Sequence, residues 1–505
     1  MRRRALLASL TGVAAGLAGC SFASGQPSDD PANGPKQGPT TRPPSTETPT
    51  SPGSDDMPEP PETMASVIDL EAGPRTYAFA PTHFRPSDEA AVSLWFDRTA
   101  TADHPARLRG ILENTAEYAT TIQVEWIPAV GRTYSRNPEG YDHEARLHLA
   151  PTEQNELADR VPDLTRTEAG YWRRSENGPT MPETVRLDAG ERVELAYAVV
   201  GDPGMADRPT GHYEFRGDDA TASIHVWQTD QPGPTATSRF AGQSVPALSE
   251  EMSTAWYHDA DATTAVSLRP AREQVALDGR VAFELVNHSA RELSCGHWNL
   301  YKLTDGEWYH VGPNIHTSDC RLLAPGGHQE WALRAFNSDA VPCGEHAGAG
   351  CGDGLTRGYL GGGTYAVVAG YGHPADQSGA LIELVGDSVT LEPAADATID
   401  RRGSTVTVQF PEYGDGEHPP DASFTLSRAD GAEERLIAEQ VMDSGGFAGS
   451  GRGLRTALAA LDADAERVEV RADEHIVDAA TDHDSTSRRF RFRGQAYQVT
   501  QVAPE

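Results

Sequence analysis

The chain has 505 residues, with 42 Lys and Arg against 75 Asp and Glu and so a formal net charge of −33. A length of this order suggests about three to four domains, and 38% apolar residues suffice for packed cores, which excludes disorder throughout. So negative a charge argues against nucleic acid as a partner, because phosphate backbones need basic patches.

Residues 1–20 open the chain with Arg2, Arg3 and Arg4, followed by an apolar run from Ala5 to Leu17. That run is too short to cross a bilayer core of about 30 Å and has the layout of a signal peptide. Arg3-Arg4-Ala5-Leu6-Leu7 looks like a twin-arginine export motif, and Leu17-Ala18-Gly19-Cys20 resembles a lipobox. The resemblance implies cleavage before Cys20 and a lipid on its thiol. Two hydrocarbon chains there would anchor the protein stably, at the outer face of the cell membrane. Residues 21–65 follow as a linker. Between Pro27 and Pro61 there are 11 prolines among Ser, Thr, Gly and acidic residues, a composition that predicts a disordered, extended Pro/Thr/Ser-rich tether. Its hydroxyls, Thr40 to Ser51 among them, are candidates for O-glycans.

From residue 66 the pattern becomes short alternating strands punctuated by Gly, Pro, Asn and Asp. In the first module (66–232) strands are predicted at 91–96, 106–113, 121–127, 144–149, 184–187, 192–199, 212–215 and 223–227. The second module (250–392) repeats the order. A strand ends in Asn287 as one ends in Asn114; Leu323-Ala324-Pro325-Gly326 precedes a strand as Leu187-Asp188-Ala189-Gly190 does; Gly363-Thr364-Tyr365 opens a strand as Gly211-His212-Tyr213 does. Two such series in one order point to a divergent duplication. The run 281–287, then 298–303, 306–309, 323–326 and 362–367, resembles bacterial immunoglobulin-like domains of surface lipoproteins. The resemblance implies two β-sandwiches placed outside the cytoplasm and brings no catalytic residue with it. Residues 394–505 read as a small α+β domain. A hairpin is expected at 405–410 and 423–427, helices at 433–442 and 454–461, and closing strands at 467–470, 488–493 and 496–502. The fold class is therefore mainly β: two immunoglobulin-like sandwiches and an α+β domain behind a tether.

Besides Cys20 there are four cysteines, Cys295, Cys320, Cys343 and Cys351, all in the second module. An even number in an exported chain suggests two disulfides, with Cys295–Cys320 and Cys343–Cys351 favoured because the latter pair closes one Gly-rich loop. The competing reading is zinc, with Cys295, His297, Cys320, Cys343, His346 and Cys351 as the ligand types on offer. His143-Glu144-Ala145-Arg146-Leu147-His148 has one residue too many for a helical zincin motif and alternates like a strand. His297, His310, His316 and His328 read as strand-end and loop histidines. Trp298, Tyr301, Trp308 and Tyr309 surround a tight Asp305-Gly306 turn; core and hairpin packing is expected, with an exposed platform for sugars or a protein as the alternative. Asn287-His288-Ser289 is an N-glycosylation sequon at a strand end.

Only Lys36 and Lys302 are lysines, the other 40 basic residues being arginine. Few lysines among many carboxylates resemble proteins of salt-loving archaea, where the charge describes the solvent. The expectation is a membrane-anchored extracellular lipoprotein acting in recognition, adhesion or scaffolding without catalysis or cofactor, its partner an unidentified surface protein or glycan. A metal-dependent hydrolase on the Cys/His loops is the alternative. A transporter's substrate-binding lipoprotein would need two α/β lobes, which this strand grammar opposes.

Overall fold

Alternation of apolar and polar side chains gives the first module two sheets whose apolar rows face each other. The computed structural model describes residues 57–141, 145–205, 207–294, 296–314, 316, 320–341, 354–416, 420–442, 451–481 and 485–502. Residues 1–56, with Cys20 and most of the linker expected over 21–65, lie outside them. Thirteen strands build the module: β1 (Ser66–Asp69), β2 (Arg75–Ala80), β3 (His83–Ser87), β4 (Ala90–Arg98), β5 (Ala106–Asn114), β6 (Thr120–Ile122), β7 (Leu147–Pro151), β8 (Leu164–Arg166), β9 (Trp172–Arg174), β10 (Val185–Leu187), β11 (Arg192–Gly201), β12 (Gly211–Arg216) and β13 (Thr221–Gln228). One sheet runs β1-β2-β13-β12, the other β3-β4-β5-β11-β9-β8 with β7 also on β11. Tyr77, Phe79 and Phe215 of the first meet Leu94, Leu108 and Tyr197 of the second in one buried core. The strand expected at 121–127 stops at Ile122, because Val124–Trp126 turns as a short 3-10 helix. The strand expected from 144 begins at Leu147.

The second module follows the same plan. Its strands are β14 (Thr254–Trp256), β15 (Val266–Pro270), β16 (Gln274–Ala276), β17 (Gly279–Asn287), β18 (Leu293–Ser294), β19 (Trp298–Thr304), β20 (Glu307–Gly312), β21 (Leu322–Leu323), β22 (His328–Ala335), β23 (Gly354–Arg357), β24 (Gly363–Ala369) and β25 (Gln377–Val385). Sheet β15-β17-β22-β23 packs on sheet β14-β25-β24-β19-β20, to which β16 is added beside β25. The antiparallel pair β5/β11 thus corresponds to β17/β22, β12/β13 to β24/β25, and the small ladder β6/β10 to β18/β21.

The third domain comprises β26 (Thr398–Arg402), β27 (Thr405–Gln409), β28 (Asp421–Arg428), β29 (Glu434–Arg435), α1 (Ala438–Val441), α2 (Arg452–Ala460), β30 (Arg467–Asp473), α3 (Glu474–Thr481), β31 (Ser487–Phe492) and β32 (Gln495–Val502). They form one sheet, β26-β27-β30-β28-β32-β31-β29, with α2 and α3 against it. The expected hairpin of β27 and β28 does not form. β30 lies between them, parallel to β27 and antiparallel to β28. The helix expected over 433–442 is reduced to α1. Its apolar residues serve two cores, Leu436 and Val441 in the third domain and Ile437 in the second module, while Glu434 and Arg435 pair with β31.

Candidate functional site

The duplication is written in hydrogen bonds. Asn114 is fully buried, and its Nδ2 donates to the carbonyls of Tyr118 (2.9 Å), Leu187 (3.2 Å) and Asp188 (2.9 Å). Asn287 is equally buried and donates to Arg291 (2.7 Å), Leu323 (3.1 Å) and Ala324 (3.2 Å). In each copy the Asn carbonyl accepts from the turn glycine, Gly190 (3.1 Å) or Gly326 (2.6 Å), both of which hold positive φ. Each copy also carries a tyrosine corner: Tyr213 donates its hydroxyl to Pro209 O (2.7 Å), and Tyr365 to Gly361 O (2.8 Å). One sequence expectation is corrected by this geometry. The Asn287 amide is enclosed, with Nδ2 occupied by three carbonyls and Oδ1 accepting from Ser289, so the folded strand end leaves no room for an N-linked glycan at this candidate sequon.

The two copies differ in what their turns touch. A Cβ at Gly190 would meet open space, whereas one at Gly326 would lie 2.6 Å from the Cβ of His225 and 3.1 Å from that of Ala78. The second module's turn therefore seats on the outer face of the first module's smaller sheet, where His212 and His225 are opposite one another on β12 and β13. Four imidazoles gather at this seam. His212 and His225 stack with centroids 5.5 Å apart, His328 lies 5.7 Å from His212, and His288 lies 5.5 Å from His225. Trp227 stacks on His288 at 5.1 Å with the planes 8° apart, and His288 Nδ1 bonds to Pro232 O (2.5 Å).

Electrostatics at the joint favours the neutral form of His212, His225 and His288. Burial lowers the pKa of His225 well below the ordinary value, and His288, His212 and His328 push it the same way. Burial also lowers His212, against the pull of Glu214. It lowers His288 despite the Pro232 carbonyl and Glu284. Among the described residues no group of three or more His, Cys, Asp or Glu is arranged to hold a metal ion. What the joint can do chemically is take up protons. Sequence reading singled out His328 but missed His212, His225 and His288, whose convergence depends on how the two modules dock.

The other singled-out residues are scattered. His148 sits on β7 with Nε2 2.9 Å from Asp202, a carboxyl that Arg146 also contacts at 3.1 Å. Burial opposes ionisation of Asp202, but these two neighbours hold its pKa below the usual range. His297 stacks on His316 at 4.6 Å, and Asn299 Oδ1 lies 3.1 Å from both His310 Nε2 and His316 Nε2. Of the cysteines and histidines offered as disulfide or zinc partners, Cys320 and His297 are described, whereas Cys295, Cys343, His346 and Cys351 lie outside the described residues. Trp298 stacks on Trp331 in the core, and Trp308 stacks on Trp256 with its indole N–H on Pro246 O (2.8 Å), as packing predicts. Lys302 forms an ion pair with Glu439 of α1, which also accepts from Gly361 N (3.2 Å). That contact, with Arg435 on Asp305 and Gln440 on His310 O (3.0 Å), fixes the third domain to the second module.

No family model matches the chain, and no curated protein matches it. Among the solved structures to which the chain shows a weak likeness are three at 9% identity. A polysaccharide lyase has a TM-score of 0.13, covering 65% of this chain and 37% of its own. Red sea bream transglutaminase has a TM-score of 0.13, covering 59% and 31%. A GH2 β-galacturonidase from Eisenbergiella tayi has a TM-score of 0.11, covering 68% and 46%. The chain thus spans less than half the length of each.

Proposed function

We propose that the chain is a lipoprotein held through Cys20 on the outer face of the cell membrane, acting in recognition, adhesion or scaffolding without catalysis. The partner is a surface protein or glycan. The supporting observation is how the ionisable side chains are used. The four joint histidines, His148 with Asp202, and Lys302 with Glu439 each fix one structural element against another, the economy of a rigid display body. In this reading the Pro-rich segment is a tether, the arginine-rich acidic surface is fitted to brine, and Cys295–Cys320 and Cys343–Cys351 are the disulfides.

Replacing Cys20 with Ala should release the protein from the membrane fraction into the medium; retention would contradict the anchor. Metal analysis with thiol titration of the purified chain tests the rest. Disulfide-bonded cysteines without zinc are expected. Stoichiometric zinc on reduced cysteines would overturn this reading in favour of a metal-dependent hydrolase.

A further inference from the structure

One face of the third domain's sheet lies beneath α2 and α3, where Val406, Phe424, Leu426, Val468, Phe490 and Val499 are buried. Side chains alternate along a strand, so their neighbours point to the opposite face. Register places six of these in a single row across the sheet: Arg402, Thr405, Arg467, Ser427, Gln498 and Arg489. All six are partly or fully exposed. Arg435, Arg471 and Arg491 share this face by register, and its acidic residues are Asp400, Asp421, Glu469 and Asp473, which makes it net +2 in a chain of net −33. Glu469 is already paired with Arg471, and Arg489 leans on Gln498 (3.0 Å). Arg402 and Arg467 have no ion pair among the described residues.

We propose that this open face binds a linear acidic polysaccharide lying across the strands. Strands are about 4.8 Å apart, so Arg402 and Arg467 stand about 10 Å apart and Arg467 and Arg489 about 14 Å. Spaced guanidinium groups suit a polymer whose carboxylates or sulfates are separated by uncharged sugar, each anion taken by a forked Arg contact. Thr405, Ser427 and Gln498 between them offer hydrogen bonds to sugar hydroxyls. A protein partner is disfavoured because the row has no aromatic or large aliphatic anchor. Single-stranded nucleic acid would need stacking rings, and a duplex carries a charge about every 1.7 Å.

This inference rests on the recognition reading and is tested apart from it. The purified full chain at about 0.15 M salt is titrated, by light-scattering-corrected calorimetry, with polygalacturonate, a sulfated glycan, neutral dextran, polyglutamate and duplex DNA. Binding to an acidic glycan and not to dextran is expected. The triple variant Arg402→Gln, Arg467→Gln, Arg489→Gln should lose at least tenfold in affinity with an unchanged circular dichroism spectrum. A control of equal charge change on exposed arginines elsewhere, Arg85→Gln, Arg186→Gln, Arg272→Gln, should keep the affinity. No binding to either acidic glycan overturns the proposal, as does equal loss in both triple variants or equal binding of polyglutamate or DNA. None of these outcomes moves the membrane-retention result for Cys20→Ala.

Discussion

Acidification should dismantle the joint between the sandwiches, and the amount is set by proton counting. His212, His225 and His288 each have a folded-state pKa below the ordinary one. The unfolded or undocked chain therefore binds more protons once pH falls through about 6.5. Stability from the joint is complete above that pH and drains as pH falls towards the folded-state values, while Glu214 and Glu284 soften the loss. Three histidines protonated on opening and neutral when docked give a limiting slope of about 4 kcal/mol per pH unit. Urea unfolding at pH 7.5, 6.5 and 5.5, with amide exchange on peptides spanning residues 322–329, measures it. The variant His225→Phe keeps a ring in place and removes one proton, so its slope should fall by about 1.4 kcal/mol per pH unit. Equal slopes in wild type and variant would refute the reasoning.

The duplicated asparagines should behave alike: Asn114→Ala and Asn287→Ala each remove the donor from one buried and two partly buried carbonyls and should cost about 2–4 kcal/mol in urea unfolding. Intact-mass analysis of protein from the native host should show the same glycan mass for wild type and Asn287→Gln. The turn glycines should differ. Gly190→Ala costs about 1 kcal/mol of backbone strain, whereas Gly326→Ala must also displace His225 or Ala78, and exchange at the seam should report the larger effect. Lys302→Met, which leaves Glu439 buried and unpaired, should destabilise by about 3–5 kcal/mol, and Lys302→Met with Glu439→Leu should recover most of it, read from thermal unfolding.

Local pattern made the sandwiches legible and long-range docking made the joint illegible. The period-two stretch at 192–199 is β11, and the paired motifs ending in Asn114 and Asn287 proved to be one hydrogen-bonding device built twice. Strands β1 to β3 were not anticipated, since Arg75–Ala80 is buried nearly throughout and shows no alternation. β30 enters between β27 and β28 because sheet order depends on contacts some sixty residues apart, which spacing does not encode. For the same reason His225 and His288 carry no local mark: they meet only because Gly326 is seated on the neighbouring module.

The scarcity of lysine has a practical side. Lys302 supplies the one lysine amine among the described residues, Lys36 lying outside them, and that amine is locked against Glu439 at the seam with the third domain. Its rate of reaction with an acylating reagent therefore counts how often that seam opens. The body carries its own single-site chemical clock for domain separation, and no labelling mutation is needed to read it.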